Sequence, residues 1–159
     1  MYEFLTFDTK ATLTVTWPPF LEPRLTPSSA IEFTSPPWLP AVEKRIDALR
    51  NLEPNWDGEG APRIPFECAM AVWRFLFDTA LNETPAPQLI PTSAGGIQIE
   101  WHLAGTDLEV RFDPKEPAAF FHCDAQGTET EGEVDAERSL IGSLLRALPI
   151  RNDFGHASR

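Results

Sequence analysis

The feature that most constrains this chain is a change of hydrophobic period after residue 96. Ile97, Ile99, Trp101 and Leu103 alternate with Gln98, Glu100 and His102, and Leu108, Val110 and Phe112 alternate with Asp107, Glu109 and Arg111. Successive side chains of a strand point to opposite faces, so each run reads as a strand with one apolar face. Gly105 lies between them and predicts an antiparallel hairpin. Two registers keep the apolar residues together. A two-residue loop, Ala104-Gly105, sets Glu100 opposite Glu109. A four-residue loop, Ala104 to Asp107, sets Glu100 opposite Arg111 and His102 opposite Glu109. Directly opposed like charges cost up to about 1 kcal/mol, so the second register is the expected one.

Other elements build around this hairpin. Gln88-Leu89-Ile90 predicts a preceding edge strand, and Ala118 to Asp124 a third strand after the helices. Thr128 to Val134 predicts a last strand, turned at Ala125-Gln126-Gly127, whose Thr and Glu residues suit a charged edge. Upstream the period is helical. Val42, Ile46 and Leu49 share a face between Pro40 and Asn51, and Ala69, Val72, Trp73, Leu76 and Ala80 share one in a helix opened by Pro65. A final helix, with Asp135 as N-cap, carries Leu140, Ile141, Leu144, Leu145 and Leu148. The fold class is α+β: an antiparallel meander with helices packed on one face.

Residues 1–40 are different in kind. Seven of the 16 prolines fall there. An alternating run, Ala11 to Trp17, with Phe4, Leu5 and Phe7 as partner, predicts a small hairpin. Pro18 to Pro40 then predicts an extended arm, because proline fixes φ and cannot donate to a ladder. Trp17, Phe20 and Trp38 make this arm aromatic and suited to lying on a partner. The domain reading is thus 1–40 hairpin and arm, 41–150 α+β domain, and 151–159 flexible tail.

Charge narrows the function classes. The chain carries 24 acidic and 13 basic residues, a formal net charge of −11. Glu129, Glu131 and Glu133 gather on the predicted edge strand. Such a field repels nucleic-acid phosphates and anionic membranes, and attracts a basic protein. No apolar run is long enough to span a bilayer, and Met1 to Lys10 has no basic region followed by an apolar stretch. Cys68 and Cys123 are too few for a disulfide framework and read as small buried hydrophobes, which points to a reducing cytoplasm.

Asn55-Trp56-Asp57-Gly58-Glu59-Gly60-Ala61-Pro62 is the most distinctive stretch. One reading is a rigid connector, with Trp56 plugging the core and Asp57 capping a backbone amide. The other pairs the carboxylates of Asp57 and Glu59 for acid–base chemistry or for a metal, although a calcium loop needs more oxygen ligands than this segment supplies. The run Leu49 to Pro62 resembles a signature of small bacterial proteins: a short helix, Asn-Trp-Asp-Gly-x-Gly-Ala, then a Pro-led helix. A second matching segment is Gly95-Gly96-Ile97-Gln98-Ile99-Glu100-Trp101. The resemblance covers roughly residues 42–148 and implies a bacterial origin and a single α+β domain. It implies no activity.

Catalytic motifs are few. In the expected register His102 and Glu109 are neighbours and could act as a general base. His122 and Cys123 are adjacent on a strand and so point to opposite faces. No Cys or His pair has zinc spacing, and Gly95-Gly96 lacks a phosphate-binding pattern, so the sequence reading assigns no metal and no cofactor. Two functions follow. The first is a non-enzymatic protein-interaction subunit, accessory, regulatory or immunity-type, binding a basic protein or a sister chain through Trp17, Phe20, Trp38, Trp56, Glu129, Glu131 and Glu133. The alternative is a small hydrolase using Asp57 and Glu59, or His102 and Glu109.

Overall fold

The computed structural model describes residues 35–148. They form three helices and a five-stranded antiparallel sheet. The order is α1 (Leu39–Arg50), α2 (Phe66–Thr79), β1 (Gln88–Pro91), β2 (Ile97–Leu103), β3 (Thr106–Phe112), β4 (Ala119–Cys123), β5 (Glu129–Glu133) and α3 (Arg138–Ala147). The sheet is a meander in the spatial order β1-β2-β3-β4-β5. The fold is α+β, as the two periodicities predict. The expected N-terminal hairpin, the arm up to residue 34 with Trp17 and Phe20, and the tail 151–159 lie outside the described residues. Among the described residues, no helix is long and apolar enough to cross a membrane.

One layer of helices covers one sheet face. α1 packs on β1, α2 on β2 and β3, and α3 on α2. The sheet contributes Leu89, Ile97, Ile99, Trp101, Leu108, Val110, Phe112 and Phe120 to the core, all from the same side of the pleat. α1 contributes Val42, Ile46 and Leu49, one stripe at helical spacing. Trp38 extends that stripe by one turn. Expected on the Pro-rich arm as a partner-binding residue, it is instead a core residue, 1% exposed, and its indole N–H donates to the Leu81 carbonyl at 3.0 Å. The compact unit therefore begins at Pro36 rather than at residue 41. The signal was present: residues 38, 42, 46 and 49 share one helix face.

α2 corrects a second expectation. Its buried residues are Cys68, Ala69, Val72, Phe75 and Leu76. Trp73 is only half-buried, at the margin, where it stacks on Phe77 with ring centroids 5.6 Å apart. Phe75 takes the core position and meets the Phe112 ring at 5.6 Å. In α3, Ile141, Gly142 and Leu145 are buried, whereas Leu140 is exposed. Asp135 does not cap this helix. Glu137 occupies the N-cap position, and the Asp135 carboxylate accepts from Arg138 at 2.9 Å.

The β2–β3 register also differs from expectation. Glu100 stands opposite Glu109, Gln98 opposite Arg111 and His102 opposite Asp107. The loop is Ala104-Gly105, with φ of 53° and 79°. Two consecutive left-handed residues are what a tight two-residue hairpin turn requires. The Glu100–Glu109 pairing, rejected on charge, is accommodated by donors outside the pair, described next.

Candidate functional site

The face of the sheet away from the helices is polar, and among the described residues no helix packs on it. The register sets out its side chains in three rows. Gln88, Glu100, Glu109, Phe121 and Glu131 form the middle row. Ile90, Gln98, Arg111, Ala119 and Glu133 lie on one side of it, and His102, Asp107, Cys123 and Glu129 on the other. Six of these residues are acidic and one, Arg111, is basic. Arg111 is held by Asp113 at 3.0 Å. The predicted acidic edge of Glu129, Glu131 and Glu133 is thus one border of a wider acidic surface.

At the centre of that surface the side chains are ordered by hydrogen bonds. The Gln98 amide donates to Glu100 at 2.8 Å and to Glu109 at 2.9 Å, so one NH₂ group bridges the two opposed carboxylates. His102 sits between two more acceptors. Its Nδ1 lies 2.8 Å from Asp107 and its Nε2 3.1 Å from Glu100. The Asp107 carboxylate first, and Glu100 second, hold the imidazole above its ordinary pKa by favouring the protonated ring. His102 is therefore not the cross-strand partner of Glu109. The two sit diagonally, with Glu100 between them in contact with both networks. Ligand atoms of Glu100, His102 and Glu109 nevertheless all lie within 4.8 Å of one another. Sequence reasoning put His102 and Glu109 together through the wrong register and missed Glu100 and Gln98. The signal available was that Gln98, Glu100 and His102 share one strand face.

The Asn55–Pro62 loop is built by its own side chains. Asn55 adopts a φ of 66°, and its side-chain oxygen accepts from the Gly60 N–H at 2.7 Å. One oxygen of Asp57 accepts from the N–H groups of Glu59 at 2.9 Å and Ala61 at 3.0 Å. The amides of Ala61 and Glu59 together hold the Asp57 carboxyl below its usual pKa. Trp56 is half-buried, and its buried indole N–H has no acceptor among the described residues. Glu59 is exposed. The loop brings Asp57 into service as a backbone cap.

That capping has a pH signature. A carboxyl whose folded pKa is depressed stabilises the fold above its unfolded pKa, near 3.8, and loses that contribution as pH falls through the folded value. Asp57→Ala will lower the melting temperature at pH 7, and the gap to the parent will narrow below about pH 4. Thermal unfolding at several pH values checks this. A gap of constant size down to pH 2.5 would show that the ionised carboxylate is not what holds the loop.

The cysteines and the other described histidine, His122, stay apart. Cys68 is buried in α2, and its burial pushes the thiol upward. Cys123 is only half-buried, on the acidic face beside Asp107. His122 points to the opposite side of the same strand, as alternation requires. Two open clefts lie on the surface, and the second shares Ile90, Gln98 and Arg111 with the outer sheet face. One, of about 390 Å³, lies among Phe77, Leu81, Arg138 and Arg146. The other, of about 440 Å³, lies among Ile90, Thr92, Gln98, Arg111 and Glu116. No family model, no curated protein and no solved structure matches this chain.

Proposed function

We propose that this protein is a non-enzymatic interaction subunit, of accessory, regulatory or immunity type, whose acidic sheet face receives a basic partner protein. The supporting observation is the outer face itself, with six carboxylates, one arginine and no described helix upon it. A flat surface of one sign raises the local concentration of an oppositely charged partner and selects against acidic ones. Phe121, half-buried in the middle row, supplies an aromatic anchor among the charges. Nucleic acid is repelled by the same field, so the partner is read as a protein.

The test is affinity purification of the tagged protein from its host beside a variant carrying Glu129→Gln, Glu131→Gln and Glu133→Gln. These residues are exposed, so the variant keeps the core intact. A basic companion recovered in stoichiometric amount, reduced at least several-fold by the variant and by 0.5 M salt, is the expected result. Recovery of the protein alone, or of a companion indifferent to both changes, overturns the reading.

A further inference from the structure

We propose that Glu100, His102 and Glu109 form a binding site for a divalent transition-metal ion at the centre of the open sheet face. The site goes beyond the partner-binding reading and needs no partner protein.

The two-residue turn at Ala104-Gly105 fixes a register in which two glutamates of neighbouring strands are directly opposed. Gln98 bridges them with a single amide, using Oε1 of Glu100 and Oε2 of Glu109. This leaves Glu109 Oε1 without a described hydrogen bond and Glu100 Oε2 paired only with the His102 ring, at 3.1 Å. Glu109 is thereby oriented by a neutral donor, and Glu100 by that donor together with the His102 ring.

The imidazole adds a ligand of a different kind. Asp107 holds Nδ1 at 2.8 Å, which turns Nε2 toward Glu100. A carboxylate on the distal ring nitrogen is the usual outer-shell arrangement for a metal-bound histidine, since it fixes the tautomer and the ring plane. A cation entering there would replace the proton that Nε2 shares with Glu100 Oε2, 3.1 Å away. A cation between them satisfies both lone pairs. One nitrogen and two carboxylate oxygens suit zinc and its neighbours better than calcium, which takes six or more oxygens. Ligand atoms on a tetrahedral zinc stand about 3.4 Å apart. The three atoms here lie within 4.8 Å, and glutamate side-chain rotations can close that difference without moving the strands.

The experiment is zinc titration of the chelator-stripped full-length protein by calorimetry at pH 7, with ¹⁵N spectra of the histidine rings. The expected result is one ion per chain with the Nε2 resonance of His102 displaced. Glu109→Gln should weaken binding by at least 10-fold. Asp107→Asn, which alters only the outer partner, should weaken it about 10–100-fold. Cys123→Ser should change the affinity less than 2-fold, although that thiol lies beside Asp107. All three substituted side chains lie outside the core, and circular dichroism of each variant checks the fold. The absence of binding at 1 mM zinc overturns the proposal. So does binding lost in Cys123→Ser, or binding retained in both Glu109→Gln and Asp107→Asn, because the ion would then sit elsewhere.

Discussion

Trp101→Ala will lower the stability of the folded unit by about 3–5 kcal/mol, the range for removing a fully packed large aromatic residue. Trp101 is 2% exposed on the central strand pair and faces the helices. Its loss opens a cavity that the sheet cannot close, because Ile99 and Leu108 are fixed by the ladder on either side. It also removes the indole N–H donated to the Pro85 carbonyl at 2.8 Å. Trp101→Phe separates the two effects. It keeps most of the packing and forfeits the hydrogen bond, so its cost should be nearer 1–2 kcal/mol, on the order of one buried bond plus a small void. Equilibrium urea unfolding of the two variants checks both numbers. A loss below about 1.5 kcal/mol for Trp101→Ala would contradict the packing described here.

Gly96→Ala is the second large expected loss, and its cause is a close backbone approach. A methyl group at Gly96 would overlap the Asp113 carboxylate and the Phe112 carbonyl. The first neighbour is a side chain already tied to Thr92 and Arg111, and the second is backbone at the end of β3. Relief requires the β1–β2 turn to move away from β3. The Gly96 N–H donates to the Thr92 hydroxyl at 2.8 Å in that turn, so the displacement also breaks a hydrogen bond. A cost of about 2–3 kcal/mol is expected, at the upper end of overpacking in a well-fitted site. Gly127→Ala is the control. Its φ is +83° and nothing lies within 4 Å of the added carbon, so only the left-handed conformation is penalised, by about 1 kcal/mol. Equal losses at the two positions would show that steric contact at Gly96 is not the deciding factor.

The two glycines of the Gly95-Gly96 run show how much chemistry a motif can hide. As sequence they are a pair of small residues before a strand, without a phosphate-binding pattern. In the fold, Gly95 has a φ of +83° and its missing Cβ leaves room for Pro62 of the Asn55–Pro62 loop. The two distinctive sequence segments therefore meet in space. That contact was not legible, because nothing in local periodicity relates residue 62 to residue 95. Asp57 was the opposite case. An acidic side chain beside two glycines is a turn cap by local chemistry alone, and its two backbone bonds follow from that chemistry.

What the sequence by itself determined was the alternation of faces. A period of 2 in residues 97–112 and of 3.6 in the helices specified the inward face of the sheet and the main stripe of each helix, though not Phe75 in place of Trp73, and hence the α+β meander with helices on one side. It could not determine the β2–β3 register, because the two candidate registers differ by two residues and a shift of two preserves every face. Pairwise charge favoured the wrong one. The tertiary structure decided for the two-residue turn, since the left-handed Ala104-Gly105 pair closes the hairpin tightly and Gln98 offsets the repulsion between Glu100 and Glu109 from beside the pair. A rule that weighs only directly opposed residues cannot see a donor one step along the strand. The same displacement of two residues moved His102 from Glu109 to Asp107 and assembled the Glu100, His102 and Glu109 cluster.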